Sequence, residues 1–356
     1  MNLLIKSALI TDPNSPFNKK NVDVLIRNGI ITQIGSAIDA EGTEVFDAKG
    51  KNLAPGFLDL NCNIGELGLE TKEDITTGTA AAAAGGFTAL ALMPGTQPPV
   101  HSKAEVEYLR NRAKGNLVDV YPLGTISHKR EGKDLAEMYD MYSSGAKAFT
   151  DGNRAVQDAG LMERALLYAQ GFGATVFSYP EDNAIAVNAK VNEGHISTLL
   201  GMKGIPTLAE ELMIARDLYL AEYTNTRIHF TTISTERAAS LVKEAKRIGV
   251  KATCDVAAHH LVLTDEVLLG FDSQYKVKPP LRTQKDVDAL IAGLKDGTID
   301  AIVSQHTPHE IEFKDVEFEV AEYGMLGLQT ALPLALKAGL SAELIVQKMA
   351  LNPREI

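Results

Sequence analysis

Polar side chains end a series of short apolar segments in this chain, and those ends hold the groups that could do chemistry. They are Asn61, Cys62 and Asn63; Met93-Pro94-Gly95; Asp151; Tyr179-Pro180-Glu181; Thr231-Thr232; His259-His260; and Gln305-His306-Thr307-Pro308-His309. Such a set could bind a polar ligand. It is a poor set for a divalent catalytic metal, which takes imidazole, thiolate or carboxylate, because most of these ends offer amides and hydroxyls. Adjacent strand residues face opposite sides, so at most one of His259 and His260 could join His306 and His309 at a metal, and packing or hydrogen bonding is the favoured role for the pair. Cys62 alternates away from Asn61 and Asn63 and reads as a small buried hydrophobe rather than a thiolate. Lys129-Arg130 and Lys243…Lys246-Arg247 are short, mixed with acids, and read as solvated faces.

The elements that position these ends are legible in the hydrophobic rhythm. The strand candidates are Phe57–Asn63, Thr88–Met93, Asp119–Thr125, Ala146–Asp151, Ala174–Tyr179, Arg227–Ser234, Lys251–Ala257 and Asp300–Gln305, eight in all. Several are nearly continuous apolar runs, as parallel strands covered on both faces require. Between them lie helical patterns. Ser102–Lys114 opens on a Ser102…Glu105 capping-box spacing and stops at Gly115-Asn116, and Glu236–Ile248 and Gln284–Leu294 end at Gly249 and before Gly297. Ala80–Ala84 before Gly85-Gly86 reads as a closely packed helix with a glycine C-cap. Eight strand–helix units predict a closed (β/α)8 barrel of α/β class. A doubly wound open sheet is the alternative, although no G-x-G-x-x-G follows any strand. Residues 1–53 carry the short strands Leu3–Ile10, Asp23–Arg27 and Ile30–Ile34 between turn signals and predict a small β domain; the barrel is expected over residues 54–350.

Thirty-five Lys and Arg against 46 Asp and Glu give a formal charge of −11, with no basic cluster, which argues against nucleic acid or an anionic membrane as the partner. Two cysteines cannot build a disulfide framework, and no apolar run approaches the ~20 residues of a membrane span. A cytoplasmic globular protein is expected.

The order and spacing of several segments carry a resemblance across essentially the whole chain. Pro55-Gly56-Phe57-Leu58-Asp59-Leu60, Lys72-Glu73-Asp74, Ala82–Thr88, His259-His260-Leu261-Val262-Leu263-Thr264-Asp265, Pro279-Pro280-Leu281-Arg282, Asp296–Ile302 and Gly324-Met325-Leu326-Gly327-Leu328 resemble a bacterial dihydroorotase of the amidohydrolase superfamily. The resemblance implies a zinc pair held by histidines, and this chain departs from that pattern. The family's His-x-His pair falls on Asn61 and Asn63, its third histidine on Tyr179, its fourth on Thr232, and its catalytic aspartate on Gln305; the bridging acid alone is matched, by Asp151. Among substrate contacts the family's arginine falls on Gly65 and its asparagines on Gly95 and Lys278, whereas His306 and His309 remain in place. Asp151 is expected to bond to the new amides, and Lys147, near where hydantoinases carry a carboxylated lysine, to be an ordinary solvated or paired lysine.

Cyclic amide chemistry needs a metal-activated hydroxide and a carboxylate to move its proton. With amides, a phenol and hydroxyls at those positions, the expectation is a barrel without the family's zinc pair and without catalysis. The resemblance then implies a dihydroorotase homologue of pyrimidine biosynthesis that serves as a structural partner of aspartate carbamoyltransferase, and a homo-oligomer is expected. Two alternatives stand beside it. One is an active amidohydrolase with a rearranged or single-metal site using His306 or His309. The other is a ligand-sensing barrel in which Gly65, Gly95, Lys278, Arg282 and His306 form a residual pocket and Arg282 holds a carboxylate. Residues 351–356 are expected to start a return to the β domain that is cut short, leaving unpaired edges on Leu3–Ile34.

Overall fold

The computed structural model describes residues 1–356. The first five strands are β1 (Leu3–Ile10), β2 (Asn21–Arg27), β3 (Ile30–Gly35), β4 (Glu44–Asp47) and β5 (Asn52–Leu53), in the order β3-β2-β1-β4 with β5 also on β1. β1 and β2 pair antiparallel through the Asp12–Lys20 turn region, while β4 and β5 lie parallel to β1. β1 is therefore central, and within Leu3–Ile34 the unpaired edge is β3. The edges are β3 and β4, where Ile30, Ile31, Val45 and Phe46 are exposed.

All eight expected barrel strands are present: β6 (Phe57–Cys62), β7 (Phe87–Leu92), β8 (Asp119–Pro122), β9 (Ala148–Phe149), β10 (Thr175–Ser178), then β13 (Ile228–Phe230), β14 (Ala252–Ala257) and β15 (Ala301–Val303), with the small parallel pair β11 (Val191–Asn192) and β12 (Gly204–Ile205) in the excursion after β10. They pair in parallel as β6-β7-β8 and β9-β10-β13-β14-β15. Two parallel bridges, Gly124 with Phe149 and Cys62 with His306, join the two runs and close the barrel. That closure excludes the open doubly wound sheet.

Local chemistry sets the helices. Ser102 and Glu105 form the expected capping box on helix Lys103–Arg112, Thr235 caps Glu236–Arg247, and Thr283 and Asp286 box Gln284–Asp296, which stops at Gly297 with φ +87°. Helix Ile75–Ala84 ends on Gly85. A large apolar cluster fills the space between strands and helices, and a second, with Leu58, Leu60, Ala89, Ala91, Phe177, Ala257 and Val303, fills the lower lumen. Asn352–Glu355 is a helical turn and Ile356 packs beneath the lumen cluster, its carbonyl accepting from Thr175 Oγ1.

Candidate ligand site at the mouth of the barrel

A β-bulge decides which residues of β6 reach the site. Pairing with β7 shifts register between Asp59 and Cys62, so Asn61 comes to the lumen side after Leu58 and Leu60, and Cys62 joins the outer apolar cluster, fully buried. Burial pushes the Cys62 thiol well above its ordinary value, which suits packing rather than ligation.

Above the lumen lies a cavity of about 310 Å³ lined by Asn61, Asn63, Gly65, Gly95, Tyr179, Lys278 and Gln305 from the expected set. Most neighbouring amides and hydroxyls are engaged with protein. Asn61 Nδ2 donates to Thr231 Oγ1 at 3.1 Å and Thr232 Oγ1 at 3.3 Å; Thr232 donates to Asp255 Oδ1 at 2.8 Å; and His229 Nε2 meets Asp255 Oδ2 at 3.0 Å. Asn63 Nδ2 donates to Thr307 Oγ1 at 3.0 Å, and Gln305 Nε2 to the Lys278 carbonyl at 2.9 Å. Tyr179 Oη is buried without a partner, and burial raises its phenol well above the ordinary range.

Four expected site residues stand outside the cavity lining. Thr232 is buried beneath it in the Asn61–Asp255 network. Asp151 bonds to Ser127 Oγ and to the backbone N–H groups of Ile126 and Ser127, not to the new amides; burial raises its carboxyl and those bonds oppose the shift. Arg282 is only 2% exposed: it donates to Ser234 Oγ, Asn192 Oδ1 and the Ile205 carbonyl, and lies 3.5 Å from Glu210. It holds the framework and has no access to a ligand in the cavity. His306 is likewise buried, with Nδ1 accepting from Gly327 N–H and Nε2 donating to Glu73 at 2.9 Å. His259 and His260 are buried neighbours whose imidazoles burial holds far towards neutral, His260 to about 4. Lys147 is exposed at the opposite end of the barrel, over the Tyr121 ring.

Several lining residues escape a reading of the sequence. Arg130, expected on a solvated face, is 9% exposed and lines the cavity with Arg154, Lys72 and Tyr323, and with His309, which the strand ends did mark. Lys129 and Arg130 both have positive φ, +53° and +59°, and this turn carries Arg130 inward. Its Nε donates to the Asp151 carbonyl at 2.8 Å and its Nη2 to Asn153 Oδ1 at 2.6 Å. His309 Nε2 faces the Tyr323 carbonyl at 3.0 Å, so its Nδ1 accepts from Lys72 Nζ at 3.3 Å. Lys278 pairs with Glu181 at 2.7 Å.

Comparison with known proteins agrees with this architecture. Residues 50–238 match the family described as Dihydro-orotase-like. A protein named Dihydroorotase from Acetivibrio thermocellus is 45% identical over 99% of this chain and 84% of its own length, and one from Geobacter sp. strain M21 is 45% identical over 100% and 85%. The chain belongs to the dihydroorotase-like family. Among solved structures, the L-hydantoinase (dihydropyrimidinase) from Arthrobacter aurescens superimposes with a TM-score of 0.87 at 23% identity, covering 99% of this chain and 82% of that one. A D-hydantoinase gives 0.83 at 24%, covering 100% and 81%. At such identities the likeness concerns the fold, an amidohydrolase barrel with an N-terminal β domain, as this dihydroorotase homologue has. No helix in it is long and apolar enough to cross a membrane.

Proposed function

We propose that this dihydroorotase homologue of pyrimidine biosynthesis is non-catalytic and acts by contact, as a structural partner of aspartate carbamoyltransferase. The observation that carries the reading is the chemistry at the five positions where the family places histidines and its catalytic aspartate. Asn61, Asn63, Thr232 and Gln305 are neutral and hydrogen-bonded to protein groups, and Tyr179 holds its phenol proton. A zinc pair does not fit this donor set, because a divalent ion would have to displace those bonds and take amides and hydroxyls where it prefers imidazole and carboxylate. No carboxylate stands at position 305 to accept a proton from an attacking water, and Asp151 is turned to Ser127.

The substrate side is altered too. A side chain at Gly65 would place its Cβ 1.9 Å from the Leu69 carbonyl oxygen, so the segment after β6 closes over the place where the family's arginine would start. Mixing the purified chain with the carbamoyltransferase over a size-exclusion column at micromolar concentration tests the partnership. Co-elution is expected; separate elution, with a carbamoyltransferase that assembles and works equally well alone, would overturn it. The relatives' printed name supports the other reading, an active dihydroorotase with a rearranged site. Zinc analysis separates the two, since near-stoichiometric zinc in protein purified without chelator would favour that enzyme.

A further inference from the structure

The cavity at the barrel mouth has lost the family's arginine position at Gly65, yet its lining is rich in cations: Lys72, Arg130, Arg154 and Lys278, with Glu322 as the acid among them. Only Lys278 has a close acidic partner, Glu181. Arg154 Nη1 reaches the Arg130 backbone carbonyl at 3.4 Å, and burial together with Arg154 lowers the Arg130 guanidinium to about 10, so it remains charged near neutrality. The charge of Arg154 disfavours that of Arg130, which is nine-tenths buried and only partly offset by Asp151, so an anion in the cavity would stabilise both. The protein hydrogen bonds of Arg130 use Nε and Nη2, and Nη1 makes none.

The room for Arg130 comes from glycine. A Cβ at Gly95 would lie 3.1 Å from Arg130 Nη1, and one at Gly152 would lie 3.1 Å from Nη2. At position 95 the resemblance places the family's substrate asparagine; here a guanidinium from another loop lies against that position. Tyr179 is 7% exposed, lines the same cavity, and carries a buried Oη–H without a partner. Guanidinium groups present planar, paired donors to carboxylate or phosphate oxygens, and a phenol adds one more.

We propose that this cavity binds a small dianion, a dicarboxylate or a phosphate, through Arg130 and Arg154, with Lys72 and the Tyr179 hydroxyl completing the set. The site rests on the reading that no metal hydroxide occupies the barrel mouth, and it does not depend on which protein the chain contacts.

Thermal unfolding and titration calorimetry of the full chain test it, with inorganic phosphate, malonate, and sodium chloride at matched ionic strength. Phosphate or malonate is expected to raise the melting midpoint saturably, with Kd on the order of 1 mM or tighter, and chloride is not. Saturation by phosphate alone identifies a phosphate ligand, by malonate alone a dicarboxylate, and by both the shared charge; each supports the site. Arg154 is exposed and anchored by one backbone contact, so Arg154→Gln is expected to fold and to weaken binding about tenfold or more. Lys243→Gln, which removes a distant surface pair with Asp296, should leave it unchanged. No saturable response to either anion, or equal affinity in Arg154→Gln and the parent, would overturn the proposal. Dihydroorotate turnover, measured on the same samples, reports separately on the non-catalytic reading.

Discussion

Arg282 shows how a side chain legible in sequence can take a different role in space. Its place in Pro279-Pro280-Leu281-Arg282 marks it for a carboxylate, and the carboxylate it meets is Glu210 of its own chain. Burial raises the Glu210 carboxyl while Arg282 and the Ser234 and Thr235 hydrogen bonds oppose that. Arg282→Met should therefore cost about 3–5 kcal/mol, because one buried charge is left unpaired; the denaturant midpoint measures it. Asp59 tests the lumen. Fully buried against Ser304, its carboxyl is raised to about 6, chiefly by desolvation. A raised folded value gives stability that is present below the unfolded value near 4 and lost as pH rises through 6. Asp59→Asn should accordingly gain about 1–3 kcal/mol relative to the parent between pH 4 and pH 7.5, read from melts at the two pH values. His259 and His260 act in the opposite direction, their contribution present above about 6.5 and lost as pH falls through their lowered values. The comparison of variant with parent isolates the carboxyl.

At the scale of elements, the segments after the strands decide what the mouth can hold. The eight strands, the capped helices and the Asn61 to Gln305 positions were readable because apolar runs, cap spacings and strand ends are local patterns. The inward course of Arg130 was not, since it depends on two residues at positive φ and on space left by Gly95 and Gly152, contacts that no local spacing encodes. Nor was the bulge in β6, which by a register shift brings Asn61 to the lumen side that Leu58 and Leu60 share. β4 and β5 escaped for a plainer reason, being four and two residues long. The closed segment over Gly65 has a consequence for repair. Restoring histidine at 61, 63, 179 and 232 and aspartate at 305 should recover zinc, measured by atomic emission, before any turnover. Gly65→Arg should not complete the site: its Cβ would collide with the Leu69 carbonyl, and a loss of about 1–3 kcal/mol is expected from overpacking.

For the whole molecule, the barrel is closed and its core filled while the groups lining its mouth are neutral or cationic apart from Glu322. Most substitutions destabilise by roughly 0.5–3 kcal/mol against a small total margin, so a retained fold points to a retained surface. An interface with the carbamoyltransferase should bury on the order of 1,000 Å² or more. It should survive Asn61→Ala, Tyr179→Phe and Gln305→Ala, which alter only the mouth, and co-elution of each variant checks this. The most direct measurement is the steady-state rate of dihydroorotate hydrolysis by the purified chain supplied with zinc, beside the Acetivibrio thermocellus relative under identical conditions. The expected result is no rate above the uncatalysed background for this chain; turnover comparable to the relative's would contradict the non-catalytic reading outright.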